Sequence, residues 1–136
     1  MDVVFSKDAF LQGQLLLLNK PLEWTSFQLV NKVRWAIRKT YGIKKIKVGH
    51  AGALDPLATG LMLICTGKMT KQIDPFMSMD KSYSGTFRLG ATAPSYDLET
   101  DVTNPKSIDQ ITMALLERTR NTFLGKIRQK PPMHSA

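Results

Sequence analysis

At 136 residues, 43% of them hydrophobic, the chain is one domain's worth of polypeptide and can bury a core, which excludes a wholly disordered segment. A formal charge of +8 favours nucleic acid or another anionic surface as partner, and a single cysteine, Cys65, excludes a disulfide scaffold. No apolar run is long enough for a signal peptide or a membrane span, so the sequence reads as a cytoplasmic protein that does not engage membrane.

Residues 1–12 show no period and read as a flexible N-terminus. In the stretch from Gly13 to Pro21, Leu15 to Leu18 form a continuous apolar run that leads to a Lys-Pro turn, which predicts a strand buried on both faces. Thr25 and Gln28 have capping-box spacing. Phe27, Val30, Val33, Ile37 and Tyr41 follow at helical intervals until Gly42 supplies a stop, with Lys32, Arg34, Arg38 and Lys39 on the polar face. Residues 43–48 suit a short strand interrupted by lysines, and residues 61–66 a second buried strand in which Cys65 is a packing residue.

Further along, residues 67–79 have roughly helical spacing limited by Pro75, and residues 82–90 suit a strand. Ser107 and Gln110 form a second capping-box pattern, which predicts a helix from there to about Gly125 with Ile111, Leu115 and Leu116 facing inward. Alternating strands and helices imply an α/β or α+β domain with a mixed β-sheet and flanking helices.

Charge is distributed unevenly. No acidic residue lies between Glu23 and Asp55, whereas Lys32, Arg34, Arg38, Lys39, Lys44, Lys45 and Lys47 all do. A lone carboxylate, Asp55, then sits in a Gly-rich loop, residues 49–60, at the end of this cationic stretch. Such a site can hold a polyanion and perform one step of acid, base or nucleophilic chemistry on it. The Asp55-Pro56 pair also has the form of a helix N-cap followed by a first helical position, with Gly60 closing a single turn. The two roles are compatible, because a cap sets the carboxylate beside backbone N–H groups at the positive end of a dipole. A phosphate loop, a dinucleotide fingerprint and zinc spacing are all absent from the sequence.

Several strings carry a more specific signal. Leu16-Leu17-Leu18-Asn19-Lys20-Pro21 followed by Thr25-Ser26-Phe27, then Lys47-Val48-Gly49-His50 leading to Leu54-Asp55-Pro56-Leu57-Ala58-Thr59-Gly60, then Asp80-Lys81 and Tyr83, Leu89-Gly90 and Thr92, and finally Gln129 with Pro131-Pro132-Met133, occur in that order. Together they resemble the TruB-type tRNA pseudouridine synthases over the chain from about Gly13 to Ala136. The resemblance implies the pseudouridine synthase catalytic fold and an isomerase that converts the T-loop uridine of tRNA, position 55 in tRNA numbering, to pseudouridine without cofactor or metal. It implies Asp55 as nucleophile on a flipped-out uridine, Tyr83 stacking on the everted base, and His50 contacting the remodelled T-loop. Lys20 and Asp97 fall in family-like stretches and are expected to bind substrate. The partner implied is the T-stem loop of tRNA, and the full-length enzyme is expected to be a monomer.

This sequence departs from the family in three places. Ala51 and Ala53 stand where threonines are usual, and Glu23 stands where a glycine often follows the Lys-Pro pair. Residues 13–136 are expected to be the N-terminal portion of a truncated catalytic domain that lacks its second half and any RNA-binding tail, and such a fragment is expected to be inactive alone. A non-catalytic RNA-binding protein would use the same basic face, but it gains nothing from a carboxylate set among phosphates. An aspartyl phosphotransferase would need a second nearby acid and a metal site.

Overall fold

The computed structural model describes residues 5–130, so the Pro-Pro-Met segment of the resemblance lies outside the described residues. These residues fall into two compact units, one running through Ser82 and the other starting at Tyr83.

The first unit opens with α1, Lys7–Gln12, in a stretch where the sequence shows no period. A short-range cap makes this turn: the Ser6 hydroxyl accepts from the Ala9 N–H at 3.1 Å. Its one buried side chain, Phe10, lies 5.4 Å from the Tyr41 ring, centroid to centroid. Tertiary packing thus orders a segment that six residues of helix propensity could not.

Strands β1, Leu15–Lys20, β2, Val48–His50, and β3, Gly60–Thr66, form a sheet in the order β1-β3-β2. Both pairings are antiparallel, so the expected mixed sheet is corrected: β3 runs against each neighbour. Helix α2, Ser26–Tyr41, covers one face. Its Leu29, Val30 and Ile37 share a core with Leu16, Leu18, Met62 and Ile64. In the ladder Leu16 faces Ile64 and Leu18 faces Met62, which puts all four on the helix side. The opposite face is open at one end and covered at the other: Leu17 is 62% and Leu61 65% exposed, whereas Cys65 on the same face is fully buried. The sequence expectation of strands buried on both faces therefore holds at the Ile64–Thr66 end of β3 and fails around Leu17 and Leu61.

Helix α2 has the caps its sequence predicts. The Thr25 hydroxyl accepts from the Gln28 N–H, the Gln28 side chain accepts from the Thr25 N–H, and Gly42 ends the helix in the left-handed region. Phe27, expected to face inward, is exposed, and Leu29 takes the buried position. The segment before β2 buries Ile43 and Ile46 while its lysines point outward, an irregular spacing that delays the strand to Val48.

After β3 the chain forms a 3₁₀ segment, Gly67–Gln72, and α3, Ile73–Met77, which accommodates Pro75 within its first turn. Gly67 is required here: its φ is +52°, and an added Cβ would overlap the carbonyl oxygens of Phe10 and Leu11. Beside it, the buried Thr66 hydroxyl donates to the Phe10 carbonyl at 3.1 Å and accepts from the Gln14 N–H at 3.0 Å, tying α1, β1 and β3 together. Cys65 is fully buried, and burial pushes its thiol above the ordinary value, as suits a packing residue.

In the second unit, residues 82–90 are not a strand. The regular backbone pairing there is a bridge between Thr92 and Thr103. The helix expected after Ser107 instead begins at Met113 as α4, Met113–Asn121, capped by Thr112. The reason is local: the Ser107 hydroxyl donates to the Asp109 carboxylate at 2.7 Å and accepts the Asp109 N–H, which diverts the cap into a turn. Leu115 is half-buried and Leu116 exposed, not inward-facing.

Among the described residues, no helix is long and apolar enough to cross a membrane.

Candidate active site

The loop between β2 and β3 carries Asp55, and its backbone is pinned on each side of that residue. On the N-terminal side, Ser26, the first residue of α2, is buried and accepts the Leu54 N–H at 2.9 Å while donating to the Leu54 carbonyl at 3.0 Å. On the C-terminal side, the Pro56 carbonyl accepts from the Glu23 N–H at 2.8 Å and from Lys20 Nζ at 3.2 Å. Asp55 itself is exposed to solvent between these clamps. Its carbonyl accepts the Ala58 N–H at 3.0 Å, closing a β-turn with Pro56 at the second position. The single helical turn expected from the Asp-Pro pair is therefore a β-turn, since proline's fixed φ suits both.

Lys20 differs most from its sequence reading. Lys20 is expected to bind substrate, but its side chain is fully buried, and its ammonium donates to the carbonyls of Pro21 at 2.9 Å, Trp24 at 2.6 Å and Pro56 at 3.2 Å. An ammonium has three protons, and three carbonyls take them. Lys20 thus fastens the turn after β1 to the Asp55 loop and has no donor left for a ligand.

Glu23 is in the left-handed region at φ +65°, and its N–H makes one of the two bonds to Pro56. That backbone conformation is one glycine adopts without strain, so Glu23 carries a steric cost that a glycine here would not. Ala51 is buried and its N–H donates to the Leu63 carbonyl at 2.9 Å, whereas Ala53 is exposed. His50 is half-buried, with Nδ1 2.9 Å from the Gly52 carbonyl. A carbonyl has no proton to give, so Nδ1 is the donor in this contact.

The cationic surface is partly structural. Arg34 is half-buried and donates to Asn31 Oδ1 at 2.6 Å and to the Val48 carbonyl at 3.0 Å, joining α2 to β2. Lys32 and Lys39 lie 5.0 and 4.8 Å from the ring centre of Trp35, which is 53% exposed. Arg38, Lys44, Lys45 and Lys47 face solvent.

Tyr83 and Asp97 belong to the second unit. Tyr83 is 75% exposed. Asp97 lines a cavity of about 170 Å³ together with Phe87, Arg88 and Tyr96. Its carboxyl lies below the ordinary carboxylate range, held there first by the Ser95 hydroxyl and then by the Glu99 N–H, which donates to Oδ1 at 2.9 Å. Among the described residues, no group of three or more His, Cys, Asp or Glu side chains could hold a metal ion.

The family model described as TruB family pseudouridylate synthase (N terminal domain) matches residues 38–136, which include the Asp55 loop. The chain belongs to the TruB family.

Similar proteins of this family are the tRNA pseudouridine synthase B of Flavobacterium johnsoniae, 52% identical over 130 residues, and that of Bacteroides thetaiotaomicron, 54% identical over 127. The matched residues are 95% and 93% of this chain, and 57% and 53% of those relatives. The namesake enzyme of Chlorobium chlorochromatii is 48% identical over 91% of this chain and 48% of its own. This TruB-family chain thus spans about half the length of the curated relatives it matches.

The bonds from Ser26 to the Asp55 loop are not announced in the sequence, where Ser26 stands only within the Thr25-Ser26-Phe27 string. The available signal was redundancy: Thr25 already supplies the cap, so a second hydroxyl beside it is free for another task.

Proposed function

We propose that this chain is the nucleophile-bearing part of a tRNA pseudouridine synthase that isomerises the T-loop uridine at tRNA position 55, with Asp55 as the nucleophile. The observation that carries this reading is the solvent-facing Asp55 carboxylate on a backbone held at both neighbouring residues. A catalytic group must be presented to substrate and yet lose little freedom when the substrate arrives.

The reaction asks for little more than such a group. The bond from N1 of uracil to C1′ of the ribose breaks, the base turns, and C5 bonds to C1′. The proton on C5 leaves to a base while N1 gains one, so reactant and product are isomers and no electrons or atoms are supplied from outside. A carboxylate meets the electron-poor C1′, either as an ester or as a stabilising charge, while the uracil turns. Reaching C1′ in a folded T-stem loop requires the uridine to be everted from its stack. Tyr83 supplies an aromatic face for the everted base, and His50 and Asp97 supply polar contacts to the RNA. The exposed cations Lys32, Arg38, Lys39, Lys44, Lys45 and Lys47 supply phosphate contacts.

The test is Asp55→Asn in the complete synthase that carries this segment, followed by tritium release from tRNA labelled at uridine C5. The exchange keeps the shape and removes the nucleophile, so turnover falls by about 10³-fold or more while tRNA affinity changes little. Turnover retained by the Asn variant refutes the assignment. Loss of binding together with activity would make the carboxylate a structural group and refute it equally.

A further inference from the structure

We infer that Ser26 is a positioning residue for the Asp55 carboxylate, acting through the backbone of Leu54. The inference rests on the reading of Asp55 as nucleophile and extends it to a residue that does not touch substrate.

The Ser26 hydroxyl uses its donor and its acceptor on the same residue, Leu54, 28 positions away in sequence. It is 6% exposed, so water does not compete effectively for either bond. Helix initiation does not need it: Thr25 and Gln28 already satisfy each other at the start of α2. Ser26 therefore fastens the peptide groups on both sides of the Leu54 Cα to the end of a 16-residue helix packed on the sheet.

The consequence for Asp55 is geometric. The ψ angle of Leu54 is the last soft torsion before the Asp55 peptide, and Pro56 restricts the backbone on the other side. A rotation of roughly 15–20° at Leu54 moves the next residue's carboxylate by about 1 Å. A displacement of that size at a reacting group costs about 10²-fold in rate. The hydroxyl acts on kcat and not on binding, because RNA affinity comes from contacts spread over the cationic surface.

Thr25→Ala provides a matched control: it removes a cap at the same helix end and leaves the bonds to Leu54 intact. In the complete synthase, Ser26→Ala lowers kcat by about 30- to 100-fold with KM changed by less than about threefold, whereas Thr25→Ala leaves kcat within about twofold. In the 136-residue chain, Ser26→Ala speeds hydrogen exchange of the Leu54 amide by about tenfold or more, with the β3 amides unchanged. The inference is overturned if the two variants lose kcat equally, if KM carries the loss, or if Leu54 exchange is unaltered. Failure of the underlying reading has a different signature: Asp55→Asn remains active, which removes the catalytic half of the inference even where Leu54 exchange responds to Ser26→Ala.

Discussion

Replacing Lys20 with methionine keeps a linear side chain of similar reach and removes all three donors at once. The Pro56 carbonyl retains the Glu23 N–H at 2.8 Å, and the Pro21 carbonyl retains a long bond from the Trp24 N–H at 3.4 Å. The Trp24 carbonyl, which holds the shortest of the three bonds at 2.6 Å, keeps no other donor among the described residues. An orphaned buried carbonyl costs about 1–3 kcal/mol, and each bond from a charged donor contributes a net ~1.5–3 kcal/mol. Removing the ammonium also removes the cost of burying it, which offsets part of the loss. The balance is a destabilisation of about 3 kcal/mol, or a urea midpoint lowered by ~1.5 M for a slope near ~2 kcal/mol per M. Lys20→Arg recovers little of this, since a planar guanidinium cannot converge on three carbonyls around one point. Equilibrium urea unfolding followed by circular dichroism is the assay. A Met variant with a midpoint within about 0.3 M of the parent would show that desolvation cancels the three bonds, and the account of Lys20 as the fastener of the Asp55 loop would fail.

Two further outcomes follow from backbone and charge. Glu23→Gly relieves a left-handed strain of about 1–2 kcal/mol but gives back ~0.5–1 kcal/mol of chain entropy, so the variant is more stable by up to about 1.5 kcal/mol; a lower unfolding midpoint for the glycine variant contradicts this. Asp97 has a folded-state pKa below its unfolded value, so its hydrogen bonds contribute fully above the unfolded pKa and are lost as pH falls through the lower, folded value. The Glu99 amide shift in an NMR titration will therefore show its acid transition below the ordinary Asp value of about 3.9, and a transition at or above that value counts against the contacts described.

What was legible in the sequence was what is decided locally. Helix α2 begins and ends where Thr25, Gln28 and Gly42 place it, because a cap needs only residues within one turn. Strands β1 and β3 could be read from their apolar runs, but which of their faces is covered could not, since that depends on where α2 lands. The segment at 82–90 has strand composition yet forms no ladder, because a strand exists only through a partner. Asp55 stands out in the sequence as a candidate through its acid-poor, glycine-rich context and through motif resemblance. The clamps around it do not: Lys20 reaches across 36 positions and Ser26 across 28, and no periodicity reports on such pairs.

The Pro56 carbonyl receives donors from the turn that follows β1, so the shape of the Asp55 loop is specified largely outside it. Transplanting residues 49–60 into another scaffold would carry over the acid and the glycines but leave behind Lys20, Glu23 and Ser26. The unit that can be grafted begins at the first strand, because the contacts that shape the Asp55 turn come from residues of β1, the turn after it and α2.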